Sequence, residues 1–139
     1  MRRAALAVCL LGVLGACASG KREAASLVTA VDAYRHASGP SKVDLAHAVS
    51  AVECSNDKVC EAKQACVAAI DPTVRAIALK DEVTAGVTAI EKGTMPPDSP
   101  EAKALPGKLD EAEKLLKDGR EKMGACDARL TDLHVDFGV

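Results

Sequence analysis

LDEAEKLLKDGREKMGACDARLTDL, residues 109–133, is the stretch whose reading decides the fold. Leu109, Ala112, Leu116, Gly119, Met123, Cys126, Leu130 and Leu133 recur at alternating steps of three and four, with no slip over the whole run. That spacing keeps one face of an α-helix continuously apolar, as in a helix packed along its length on partner helices. Glu, Asp, Lys and Arg fill the other faces, which reads as a solvated surface. Leu105 carries the stripe backwards, although Pro106 is a candidate for the true start of the helix.

Working outward, the same periodicity recurs upstream. Ala24, Leu27, Val31 and Tyr34 share one face of a helix expected from about Glu23 to Ala37, with Gly39-Pro40 as its stop. A second helix is expected from Pro40 or Ser41, where Ser41 and Asp44 have the spacing of a capping box, to about Cys54. It would bury Leu45, Val49 and Val52. The turn Ser55-Asn56-Asp57 then leads into a third helical run from about Lys58, which Asp71-Pro72 should end or kink. Ala76, Leu79, Val83, Gly86 and Ile90 continue the pattern as far as Gly93, and the three prolines of Thr94 to Pro100 mark a loop. No stretch alternates with period two. The expected fold is therefore all-α, a small up-down bundle of four to five helices with short connections.

The other end of the chain carries a different signal. Arg2 and Arg3 are followed by an apolar run from Ala4 to Val13 and then by Leu14-Gly15-Ala16-Cys17, the layout of an export signal. The apolar run falls short of the ~20 residues of a membrane-spanning helix and stops at Ser19-Gly20-Lys21-Arg22. Leu14-Gly15-Ala16-Cys17 resembles the lipobox of bacterial lipoprotein precursors. The resemblance covers Met1 to about Ser19 and implies cleavage before Cys17, with a diacylglyceryl group on the Cys17 thiol and acylation of the new amine. It further implies, with Ala18 rather than Asp after the cysteine, an outer-membrane address facing the periplasm. Two or more acyl chains anchor a protein stably, at ~0.8 kcal/mol per buried CH₂. The resulting division is a signal peptide at 1–16, a lipidated tether at 17–22 of at most ~20 Å when extended, and a helical domain at 23–139. Outside the signal segment the chain resembles no family.

Removing residues 1–16 leaves 123 residues, the size of one domain. Losing Arg2 and Arg3 leaves 16 Lys and Arg against 20 Asp and Glu, a formal charge of −4. With that charge, and with Tyr34 and Phe137 as the only aromatics, the chain lacks the basic surface and stacking platforms of nucleic-acid binders. Leu and Val dominate an aromatic-poor core, so cross-links would matter. Cys9 leaves with the signal and Cys17 is the lipid site, so Cys54, Cys60, Cys66 and Cys126 remain. An even number in an oxidising compartment reads as two disulfides. Three connectivities are possible, and helical phase prefers Cys54–Cys60 across the Ser55 turn and Cys66–Cys126 across the core.

No catalytic or metal-binding constellation emerges. Cys54, Cys60 and Cys66 are six apart, unlike the close pairs of zinc sites, and there is no C-x-x-C. His36, His47 and His134 form no H-x-x-x-H pair. G-x-S-x-G and phosphate-cradling glycine loops are missing, and Asp81-Glu82 and Asp110-Glu111 point around their helices rather than together. The expectation is a non-enzymatic, cofactor-free interaction or scaffold module tethered to the envelope, its partner an envelope protein or the cell wall. The Thr94 to Pro100 loop and the tail Val135 to Val139, with Phe137 exposed, are the expected docking places. The alternative is a carrier of a small ligand or metal, bound between helices through free cysteines.

Overall fold

A computed structural model describes residues 13–139, with side chains from Ser19 onward. The n-region and most of the apolar run of the expected export signal lie outside those residues. Four α-helices, and no strand, make up the described residues: α1 (Val13–His36), α2 (Ser41–Ala51), α3 (Asp57–Glu91) and α4 (Pro100–Phe137). This is the all-α, disulfide cross-linked bundle expected, with its helices running up and down in turn.

The helix boundaries depart from expectation where tertiary contacts outweigh local signals. α1 is helical from Val13 through Cys17, so residues 17–22 are helix and not an extended tether. They rise only ~9 Å. α2 forms no capping box: Pro40 occupies its N-cap, and Ser41 Oγ instead donates back to the Ser38 carbonyl at 2.7 Å. It stops at Ala51, three residues early, where the chain turns extended at Val52.

α3 runs straight through Asp71-Pro72. A proline inside a helix costs ~3 kcal/mol, but Pro72 is buried against the body, and packing on both sides offsets the lost hydrogen bond. α4 begins six residues before Pro106. Ser99 Oγ accepts from the Ala102 amide at 3.1 Å and Pro100 takes the first helical position, so a strong N-terminal signal precedes the weaker stop. Gly93, with φ +69°, closes α3 in the left-handed region where glycine alone is unstrained.

The core sits where all four helices meet. Leu27 and Val31 of α1, Val49 of α2, Val59 and Cys66 of α3, and Cys126 of α4 are completely buried there, with Tyr34 and Leu133 nearly so. Leu45 and Val52, expected inside, are partly buried at its edge. Tyr34 marks the upper limit: its hydroxyl lies beside Thr73, and burial pushes its pKa up.

α1 and α2 are far shorter than α3 and α4, which span ~52 and ~57 Å. Beyond about Val74 only α3 and α4 continue, as a two-helix arm of ~25 Å. Ala76, Val83 and Gly86 of α3 and Ala102, Leu105 and Ala112 of α4 form its seam, outside the four-helix core. The contact is close: a Cβ on Gly86 would lie 2.7 Å from Leu105 Cδ2.

Candidate functional site

Cys17 sits near one end of the body, on a helix already joined to it. Gly20, three residues later, is buried, and a Cβ there would lie 3.0 Å from Phe137 Cε1 and 3.2 Å from Asn56 Nδ2. The thiol of Cys17 itself lies outside the described side chains. Phe137, expected to be exposed, is partly buried against this glycine and the core. The tail is not frayed either. α4 continues to Phe137, Gly138 caps it at φ +62° with its amide on the His134 carbonyl, and Val139 packs back on the core.

One turn above Gly20, Glu23 clamps the α2–α3 connection. Its Oε2 accepts the amides of Ser55 at 2.8 Å and Asn56 at 3.2 Å, and its Oε1 accepts the Ser55 hydroxyl at 2.6 Å. The Ser55 hydroxyl, followed by the two amides, holds the Glu23 carboxyl below the ordinary carboxylate range. Asn56 in turn caps α3, its Oδ1 accepting from the Lys58 amide at 3.0 Å, so the carboxylate stands at the positive end of a helix. Lys58 then reaches Asp136 at 2.6 Å and ties the start of α3 to the end of α4. That contact raises the pKa of Lys58. Sequence reasoning missed Glu23, since nothing local marks a residue whose partners lie more than thirty positions away.

The four cysteines pair as helical phase prefers. Cys54–Cys60 brackets the clamped turn, with Cα atoms 5.3 Å apart. Cys66–Cys126 crosses the core, with Cα atoms 4.5 Å apart and both residues at zero exposure. The thiols on which a carrier would depend are committed to bridges. His36, His47 and His134 are exposed on three different helices, His134 turning Nδ1 to the Val139 carbonyl oxygen. Among the described residues no three His, Cys, Asp or Glu side chains are grouped to hold a metal ion, and no helix is long and apolar enough to cross a membrane.

The arm is where apolar surface is left open. Leu109 and Leu116, both expected in the packed stripe, are 44% and 41% exposed, while their stripe neighbours Ala112 and Gly119 are buried on α3. α1 covers one side of the stripe at Leu130 but ends below Leu116. Near the tip, a groove of about 530 Å³ is lined mainly by Ala85, Gly86, Met95 and Leu105, with the Glu82–Lys108 ion pair at its rim. The loop after α3, expected as a docking place, contributes Met95 to it.

Comparison with protein families, with curated proteins and with solved structures finds no match for this chain.

Proposed function

We propose that the protein is a bacterial envelope lipoprotein anchored through acylated Cys17. In this reading it stands on the periplasmic face of the outer membrane, and its helical body is a non-enzymatic scaffold that holds the α3–α4 arm out for a partner. The observation that supports it is the position of the lipobox. Leu14-Gly15-Ala16-Cys17 runs directly into α1, and Gly20, about 4.5 Å of helix rise beyond Cys17, is packed against Phe137.

An acylated Cys17 would therefore sit on a rigid body, with no slack segment between lipid and domain. The arm would point away from the bilayer, its tip some 57 Å of α4 from the anchored end. Stable attachment needs two or more acyl chains, which lipoprotein processing supplies. The partner class that suits such a device is an envelope protein or the cell wall.

Intact-mass analysis of protein extracted from native membranes tests the anchor. The expected species begins at Cys17 and carries acyl chains, and Cys17→Ala should move the protein to the soluble fraction. An unmodified Cys17 in a chain that stays on the membrane would overturn the reading.

A further inference from the structure

The side of α4 that α1 covers near the base continues uncovered along the arm. Low on α4, α1 packs over Leu130 and pairs Arg35 with Asp127. The same helical column runs upward from Asp127 through Arg120 to Glu113, and beside it Leu130 and Met123 are followed by Leu116 and Leu109. What α1 meets below is thus repeated above: an apolar row with a charged flank, shaped for a helix. No helix of the chain lies on it.

Leu116 floors a shallow groove there of about 570 Å³, bordered by Asp110, Glu113, Lys114, Lys117 and Arg120. Among the described residues Asp110, Glu113 and Arg120 enter no ion pair, and Lys117 reaches only Glu121 of its own turn, at 3.8 Å with both side chains largely exposed. The order of charge along the groove is what selects the occupant. Acidic residues stand toward the tip and basic ones toward the base. Positions 110 and 120 have the same midpoint as 113 and 117, namely 115, one residue from Leu116. A two-fold axis across the helix at that point turns each acid onto a base.

We propose that this groove is a self-association surface, on which two copies cross antiparallel at Leu116 with Asp110 and Glu113 of each copy facing Arg120 and Lys117 of the other. A two-fold contact uses one patch twice and needs it to be self-complementary, which this patch is. Side-by-side parallel copies would set Glu113 against Glu113 and Arg120 against Arg120, and like charges at an interface repel. A helix crossing at the ridge angle of ~50° touches its partner over only about three turns, matching the run from Leu109 to Arg120. The inference goes beyond the lipid anchor and stands without it. Where both hold, antiparallel copies have their anchored ends pointing apart, so the contact joins facing surfaces rather than upright neighbours in one leaflet.

The test is a charge exchange between two differently tagged full-length copies, co-expressed and recovered together from detergent-solubilised cells. One variant carries Asp110→Lys with Glu113→Lys, the other Lys117→Glu with Arg120→Glu. All four positions are exposed, so both variants should keep the wild-type circular dichroism spectrum. Wild-type copies should co-purify, each variant should lose its own partner by about tenfold or more, and the two variants together should recover wild-type pairing. Leu116→Arg should abolish co-purification. Failure of wild-type copies to co-purify, failure of the mixed variants to pair, or indifference to Leu116→Arg would each overturn the proposal.

Discussion

Cys66 on α3 and Cys126 on α4 face each other at the closest helix approach in the body, their Cα atoms 4.5 Å apart and their side chains wholly enclosed. The bridge spans 60 residues of sequence, whereas Cys54–Cys60 spans six. In the chain-entropy account the long loop contributes ~4 kcal/mol and the short one ~2 kcal/mol. Denaturant unfolding of the two double variants should show that order, with Cys66→Ala and Cys126→Ala the costlier. Non-reducing peptide mapping should join the same pairs. A fragment linking Cys126 to Cys54 or Cys60 would show the phase of α3 to be wrong.

Two glycines of α4 should respond to alanine with opposite sign. At Gly119 a Cβ would lie 2.7 Å from Thr73 Oγ1 and 2.9 Å from the Ala69 carbonyl oxygen, and a backbone atom cannot move aside cheaply. Overpacking of this kind costs ~1–3 kcal/mol, more than the helix-propensity gain of up to ~1 kcal/mol. At Gly124 a Cβ would meet nothing within 4 Å, so the propensity gain stands alone. Thermal unfolding should place Gly119→Ala below the wild type and Gly124→Ala above it. A stabilised Gly119→Ala would mean that α3 and α4 lie further apart than described.

Acid should weaken the protein partly through Glu23. Its folded pKa is depressed, so its contribution is fully present above the ordinary carboxylate range near ~4.3 and is lost as pH falls through the lower folded value. Glu23→Gln keeps one acceptor and cannot titrate. The difference in melting temperature between wild type and Glu23→Gln should be largest at neutral pH and shrink as pH drops below the carboxylate range. A difference independent of pH would show that the clamp works through shape alone.

The helical stripe is the part of this structure that a sequence displays most openly, because a period of 3.6 residues is written into the chain itself. The stripe does not say how many neighbours cover it. Leu130 and Leu116 occupy equivalent positions in the repeat, yet one is 4% exposed and the other 41%, since α1 happens to end between them. Pro72 misled for a related reason. A local stop signal has a fixed cost, and whether packing exceeds it depends on residues far away. The cysteine pairing was legible because both partners of the long bridge lie on phased helices. Glu23 with Ser55 and Asn56 was not, because a charged residue on a helix surface looks the same with or without a clamp to hold.

The arm should open well before the body. Ala76, Val83, Ala112 and Leu105 are buried by a single partner helix, whereas Leu27, Val31 and Leu133 are enclosed by several elements and by both disulfides. Local unfolding draws on regions with little buried apolar area, and a two-helix seam of mostly small residues has little. Amide hydrogen exchange should therefore divide α3 and α4 lengthwise. Amides of residues 77–91 and 100–115 should exchange at a common, faster rate, and those of 59–73 and 120–134 should follow the slow rate of α1. Crossing at Leu116 by a second copy predicts a further effect: raising the protein concentration should slow exchange in 109–120 while leaving α1 unchanged. Uniform protection along α4 at low concentration would show the arm and the body to be one cooperative unit.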